Sequence, residues 1–104
     1  MKKHFTFDQR LGISLPDLKI DWEHYDLETQ NAILFCWEQI RGSIPDRIQE
    51  LENNINEKQE QLSIESSFVR SCELNNDIAG LASIINDLWL WYRANQVLSE
   101  KAHQ

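Results

Sequence analysis

The sequence predicts an all-α chain: a long antiparallel helical hairpin, coiled-coil-like, plus one shorter N-terminal helix and an extended N-terminal arm. Three observations predict it. Two stretches carry apolar residues at alternating spacings of four and three, the pattern of a helical seam. A serine-rich run separates them, and a glycine–serine pair precedes the first. The expected organisation is a single domain over 1–104, with a docked irregular arm at 1–25, a first helix at 26–42 and the hairpin at 43–100, reversing near 63–67.

In the arm, Phe5, Phe7, Leu11, Ile13, Leu15, Leu18, Ile20 and Trp22 alternate roughly by two. That period suits extended chain lying on the helices. An isolated strand leaves its backbone groups unpaired, so an irregular arm interrupted by Gly12 and Pro16 is expected. Asp26 is placed to cap the first helix, with Glu28 in its first turn. Ile33, Trp37 and Ile40 mark its stripe, and Gly42 is expected to stop it.

Ser43 then caps the first arm of the hairpin, with Pro45 in the first turn, where its missing N–H is harmless. Ile44, Ile48, Leu51, Ile55 and Leu62 form the seam, broken only by Lys58. The second arm carries Leu74, Ile78, Leu81, Ile85, Leu88 and Tyr92, and Phe68, Cys72, Ala79, Ala82 and Trp89 widen that stripe on one side. Serines compete with helix and cap well, so Ser63-Ile64-Glu65-Ser66-Ser67 is the expected reversal. A turn at Asn75-Asn76-Asp77 is the competing reading, disfavoured because Leu74 and Ile78 keep step across it. Ile84 to Tyr92 is apolar almost all round and needs a second cover, for which the N-terminal third is the candidate. Residues 95–104 thin out in apolar content, with Val97, Leu98 and Ala102 the exceptions, and are expected to fray.

The net charge is −7, from 17 acidic and 10 basic residues. That argues against a phosphate-backbone partner, which needs clustered Lys and Arg. No run of about eighteen apolar residues occurs, so no membrane span is expected, and the N-terminus lacks the apolar run of a signal peptide. The expected location is cytoplasmic, with Cys36 and Cys72 as reduced, buried small hydrophobes.

Chemical motifs are scarce. Asp21, Glu23 and His24 lie together and are the candidate set for a small metal-dependent protein, but no paired His or Cys at ligand spacing accompanies them. Neither cysteine has a histidine nearby in sequence, and three glycines build no phosphate loop. No cofactor and no catalytic residue is expected. The aromatic group Trp22, Tyr25, Trp37, Trp89, Trp91 and Tyr92, followed by Arg93, reads first as core and second as a binding or dimer face.

Phe68, Leu74, Ile78 and Leu81 share their spacing with F-E-x-A-A-x-L-R-D-x-I-x-x-L. In that spacing the segment resembles the second half of the UVR motif, a helical hairpin of bacterial nucleotide-excision-repair proteins. It departs at Val69, at Ser71-Cys72 and at Asn75-Asn76. The resemblance implies protein–protein contact through a hairpin and assigns no family.

The expected function is therefore a small acidic protein, not an enzyme, that acts by protein–protein contact in a structural or regulatory role. It is expected to self-associate as a homodimer or higher oligomer, with Trp37, Trp89, Trp91, Tyr92, Arg93, Glu57 and Glu60 as candidate interaction residues. The alternative partner reading is an acidic inhibitor or adaptor whose carboxylates meet a basic protein surface.

Overall fold

The structure, a computed structural model, describes residues 2–94. The expectations for Val97, Leu98 and Ala102, and a hairpin reaching residue 100, lie outside them. The chain runs from a 3-10 turn at Lys2–His4 into strand β1 (Phe5–Asp8) and strand β2 (Ile13–Pro16). A second 3-10 turn at Trp22–His24 leads to helix α1 (Leu27–Ile64), and helix α2 (Phe68–Arg93) follows.

The arm is not irregular. It folds on itself as an antiparallel β-hairpin, with Phe5 opposite Pro16 and Asp8 opposite Ile13. The unpaired-strand objection disappears because the two halves of the arm pair with each other. The turn has its own chemistry. Asp8 Oδ1 accepts from the Leu11 amide at 2.9 Å, and the Gly12 amide donates to Asp8 O at 2.7 Å. Gly12 has a φ of 76°, where glycine alone is unstrained. A Cβ there would also lie 2.5 Å from Arg47 Nε. At the open end, Thr6 Oγ1 and Lys19 Nζ both donate to Asp17 Oδ2, at 2.6 and 2.9 Å. Those bonds, the Thr6 one first, hold the Asp17 carboxyl below its ordinary pKa.

Helix α1 corrects a second expectation. The break at Gly42-Ser43 does not exist: 38 residues form one helix, with Pro45 inside it. Asp26 is the N-cap, and its side chain accepts from the Thr29 amide. Ser43 does not cap; its Oγ donates to Ile40 O at 2.6 Å within the helix. The reason is tertiary. Ile40, Ile44, Ile48 and Leu51 keep one continuous stripe across the glycine and proline, and the last three are 0–2 % exposed. Breaking the helix would uncover that stripe, while Pro45 itself faces solvent.

Glu65, Ser66 and Ser67 join the helices, inside the stretch where the serines place the reversal. Ser67 caps α2 by accepting from the Arg70 amide at 3.3 Å. Asn75, Asn76 and Asp77 lie within α2, not in a turn. The helices pack antiparallel, as two cross-helix contacts show. Lys58 Nζ meets Asp77 Oδ2 at 3.3 Å, and Arg41 donates to Tyr92 O at 3.2 Å. The molecule measures 60 × 22 × 20 Å, and its radius of gyration is 18.0 Å. A compact chain of about 100 residues has a radius near 13 Å. The long axis is close to the ~57 Å that 38 helical residues span at ~1.5 Å each.

Burial is uneven along that axis. One cluster joins Leu11 and Ile13 of the β-hairpin to Ile44, Ile48, Leu51 and Leu88. A second sits where α1 extends beyond Arg93: Ile33 and Trp37 are enclosed by Phe5, Leu18, Trp22, Tyr25 and Trp91. The N-terminal segment thus covers the aromatic end. Toward the reversal, only Leu74 is fully buried, and Ile55, Leu62 and Ile78 are half-buried. Among the described residues, no helix is long and apolar enough to cross a membrane.

Candidate functional site

The aromatic end divides into core and rim. Trp37 is 0 % exposed and cannot present a binding face. Trp91 packs edge-on against it at 5.7 Å, and Trp89 packs edge-on against Tyr92 at 5.5 Å. These three are half-buried. Arg41 lies over the Tyr92 ring at 5.1 Å and holds Glu38 in an ion pair, which keeps the Glu38 carboxyl below its ordinary pKa. Arg93 is exposed at the end of α2. Of the expected aromatic group, Trp37 alone is fully buried, while Trp22, Tyr25, Trp89, Trp91 and Tyr92 each reach solvent in part.

Buried in this end are polar atoms without partners. Among the described residues, Trp37 Nε1 and both ring nitrogens of His4 meet no hydrogen-bonding group. His4, 6 % exposed, stacks edge-on with Tyr25 at 5.2 Å. Burial, then the positive charges of Lys3 and the chain's amino terminus, lower its pKa below 6.5. The folded state therefore keeps His4 neutral in a range where the unfolded chain protonates it. Stability present above about pH 6.5 falls as pH drops through that value, and the loss levels off below the folded-state pKa. His4→Leu is expected to flatten this acid limb in urea melts at about pH 7.5 and about pH 5. An unchanged acid limb in the variant would rule out His4 as its source.

Asp21, Glu23 and His24 are all exposed around the second 3-10 turn. No three His, Cys, Asp or Glu side chains converge as a ligand set among the described residues. The structure does not bring Asp21, Glu23 and His24 together as such a set. Cys36 is half-buried and Cys72 is exposed, both as free thiols, so Cys72 is not the core residue expected. A surface depression of about 520 Å³ between the β-hairpin and α1 is lined by Phe7, Gln9, Gly12, Asp46, Arg47 and Glu50. Arg47 there is occupied with Leu11 O and Glu50, and Ser43, which also lines the depression, donates its hydroxyl to Ile40 O.

The distal end carries a feature that seam reading misassigns. Phe68, which the spacing assigns to the widened stripe of the second arm, is 82 % exposed. Ile64 and Val69 are 85 % and 67 % exposed. Glu57 and Glu60 are exposed on the same side of α1 as Ile64, at helical spacings of seven and four. Along the rest of α2, the positions turned away from α1 are also uncovered: Cys72, Asn75, Ala79, Ala82, Asn86 and Leu90. Of the charged residues in α2, Arg70 pairs with Glu73, Asp77 with Lys58 and Asp87 with Arg10. Arg10 also donates to Ser83 at 3.0 Å, so the β-hairpin guards one flank of the helix. The signal for this face is present in the sequence: Phe68, Cys72, Ala79, Ala82 and Trp89 share one side. What the sequence does not reveal is that one seam is covered and the other is open.

Fold and surface together define a two-helix hairpin, with a small β-hairpin clasped to one end and an uncharged helical face left open. No family model, no curated protein and no solved structure matches the chain.

Proposed function

We propose that this chain is a non-catalytic interaction protein that works by self-association through its helical hairpin. The observation that carries the reading is the imbalance in α2. Twenty-six residues contain only Leu74 and Leu88 as fully buried side chains, while Phe68, Val69 and Leu90 stand 82 %, 67 % and 57 % exposed. Isolated exposed apolar residues are ordinary, but a face without charge from Phe68 to Leu90 marks a contact surface. A chain of charge −7 also repels its own copies except where charge is absent. Sedimentation equilibrium at tens of micromolar is expected to give twice the 12.3 kDa chain mass. Added salt should tighten the association by screening that repulsion. A monomer at about 100 µM, with or without salt, removes the reading.

The acidic-adaptor reading retains one observation, the exposed Glu57 and Glu60 beside Ile64. It displaces self-association if a polycationic ligand binds and about 0.5 M salt abolishes the binding.

A further inference from the structure

We infer that the self-association face is the outer side of α2, and that two copies meet there antiparallel, about a two-fold axis close to Ala79. The inference rests on the self-association proposed above and specifies its surface, its direction and its centre.

The spacing comes first. Phe68, Cys72, Asn75, Ala79, Ala82, Asn86 and Trp89 follow one another at four, three, four, three, four and three. This is a second helical seam on the same helix as the buried Leu74–Leu88 seam. Its members are exposed, except the half-buried Trp89, and Leu90 extends it at the surface. An open seam on a helix whose other seam is filled is the surface a further helix fits.

Size pattern then places the centre. The middle of the seam is small, with Ala79 and Ala82, and Gly80 beside them. The ends are large, with Phe68 at one and Trp89 and Leu90 at the other. Two such helices laid antiparallel about residue 79 bring small against small at the crossing and Phe68 against the second copy's Leu90. The contact is isologous, so the patch complements itself.

Charge selects the direction. Exposed Arg93 ends α2, and Glu65 precedes its first turn. Each lies fourteen residues from Ala79, on opposite sides. Antiparallel pairing therefore brings Arg93 of each copy to Glu65 of the other at both ends. Parallel pairing would set Arg93 against Arg93 and Glu65 against Glu65, which opposes association. The remaining α2 charges are already paired within the chain, so none faces the seam uncompensated.

The test uses the full chain and cysteine cross-linking. Near the axis, Ala79→Cys, made in a Cys72→Ala background, is expected to give a covalent dimer under mild oxidation. The wild-type Cys72 pair would lie about 21 Å apart along the axis, at ~1.5 Å per residue, and should not cross-link. Asn53→Cys on α1, in the same background, is the negative control. Ala79 is exposed, so Ala79→Glu leaves the hairpin folded, checked by circular dichroism, and is expected to weaken association at least about a hundredfold. Arg93→Glu and Glu65→Arg should each weaken the dimer about tenfold, and combining them should restore it.

A Cys72 disulfide dimer in the wild type means a parallel pair and overturns the direction. A dimer by mass that neither cross-links at 79 nor responds to Ala79→Glu overturns the face and leaves self-association standing. A monomer at every concentration overturns both. Failure of the combined charge variant to recover overturns the antiparallel register.

Discussion

Trp37→Ala is expected to lower stability by about 3–5 kcal/mol, the range for removing a large buried aromatic side chain. A domain of this size has about 5–15 kcal/mol in total, so the variant sits near the folding threshold. Trp37 is the largest wholly enclosed side chain and closes the cluster that binds the N-terminal segment to α1. It also supports the Trp91 ring, and through that contact fixes the end of α2 against α1. Its indole nitrogen has no partner among the described residues, so Trp37→Phe loses volume but sheds an unsatisfied donor. The phenylalanine variant is therefore expected to retain well over half of the stability difference in urea titrations. Equal losses for the two variants would show that the ring's bulk is not what the site requires.

Pro45→Ala is expected to raise stability by about 3 kcal/mol, the interior cost of proline relative to alanine. Pro45 lies nineteen positions into α1, far from the first turn where proline is harmless. It withholds the N–H that would reach Arg41 O, and its ring crowds that same carbonyl. Its side chain faces solvent, so alanine uncovers no packed surface. A thermal melt shifted upward, with helicity unchanged or greater, is the expected result. A variant that melts lower would mean that the proline shapes α1 in a way that packing depends on.

The helical half of this architecture is legible because seam spacing is a local property. Leu74, Ile78, Leu81, Ile85 and Leu88 keep step whatever surrounds them, and Ser67 caps through its own hydroxyl. The errors arise where distant contacts decide. Gly42, Ser43 and Pro45 carry every mark of a helix boundary, yet Ile44 and Ile48 are held by Leu11, Ile13 and Leu88 from elsewhere in the chain. A period of two does not by itself pair the two halves of the arm, although Asp8 and Gly12 bracket a short turn and hold its chemistry. The candidate site was legible as a list and not as a surface. Trp37 and Phe68 both read as seam residues; one is wholly enclosed and the other almost wholly bare. Periodicity identifies a face, and only the arrangement of the other elements decides whether that face is filled.

The uneven burial along the rod sets an order of events when the protein loosens. Near the reversal Leu74 is the one fully buried side chain between the two helices, while the opposite end is locked by two clusters and a clasped β-ribbon. Backbone amides close to Ser67 should therefore exchange with deuterium long before those around Ile44, as the tip opens and recloses without the rest. The molecule behaves like a zip fixed at one end, and whatever grips its free end meets the part that yields first.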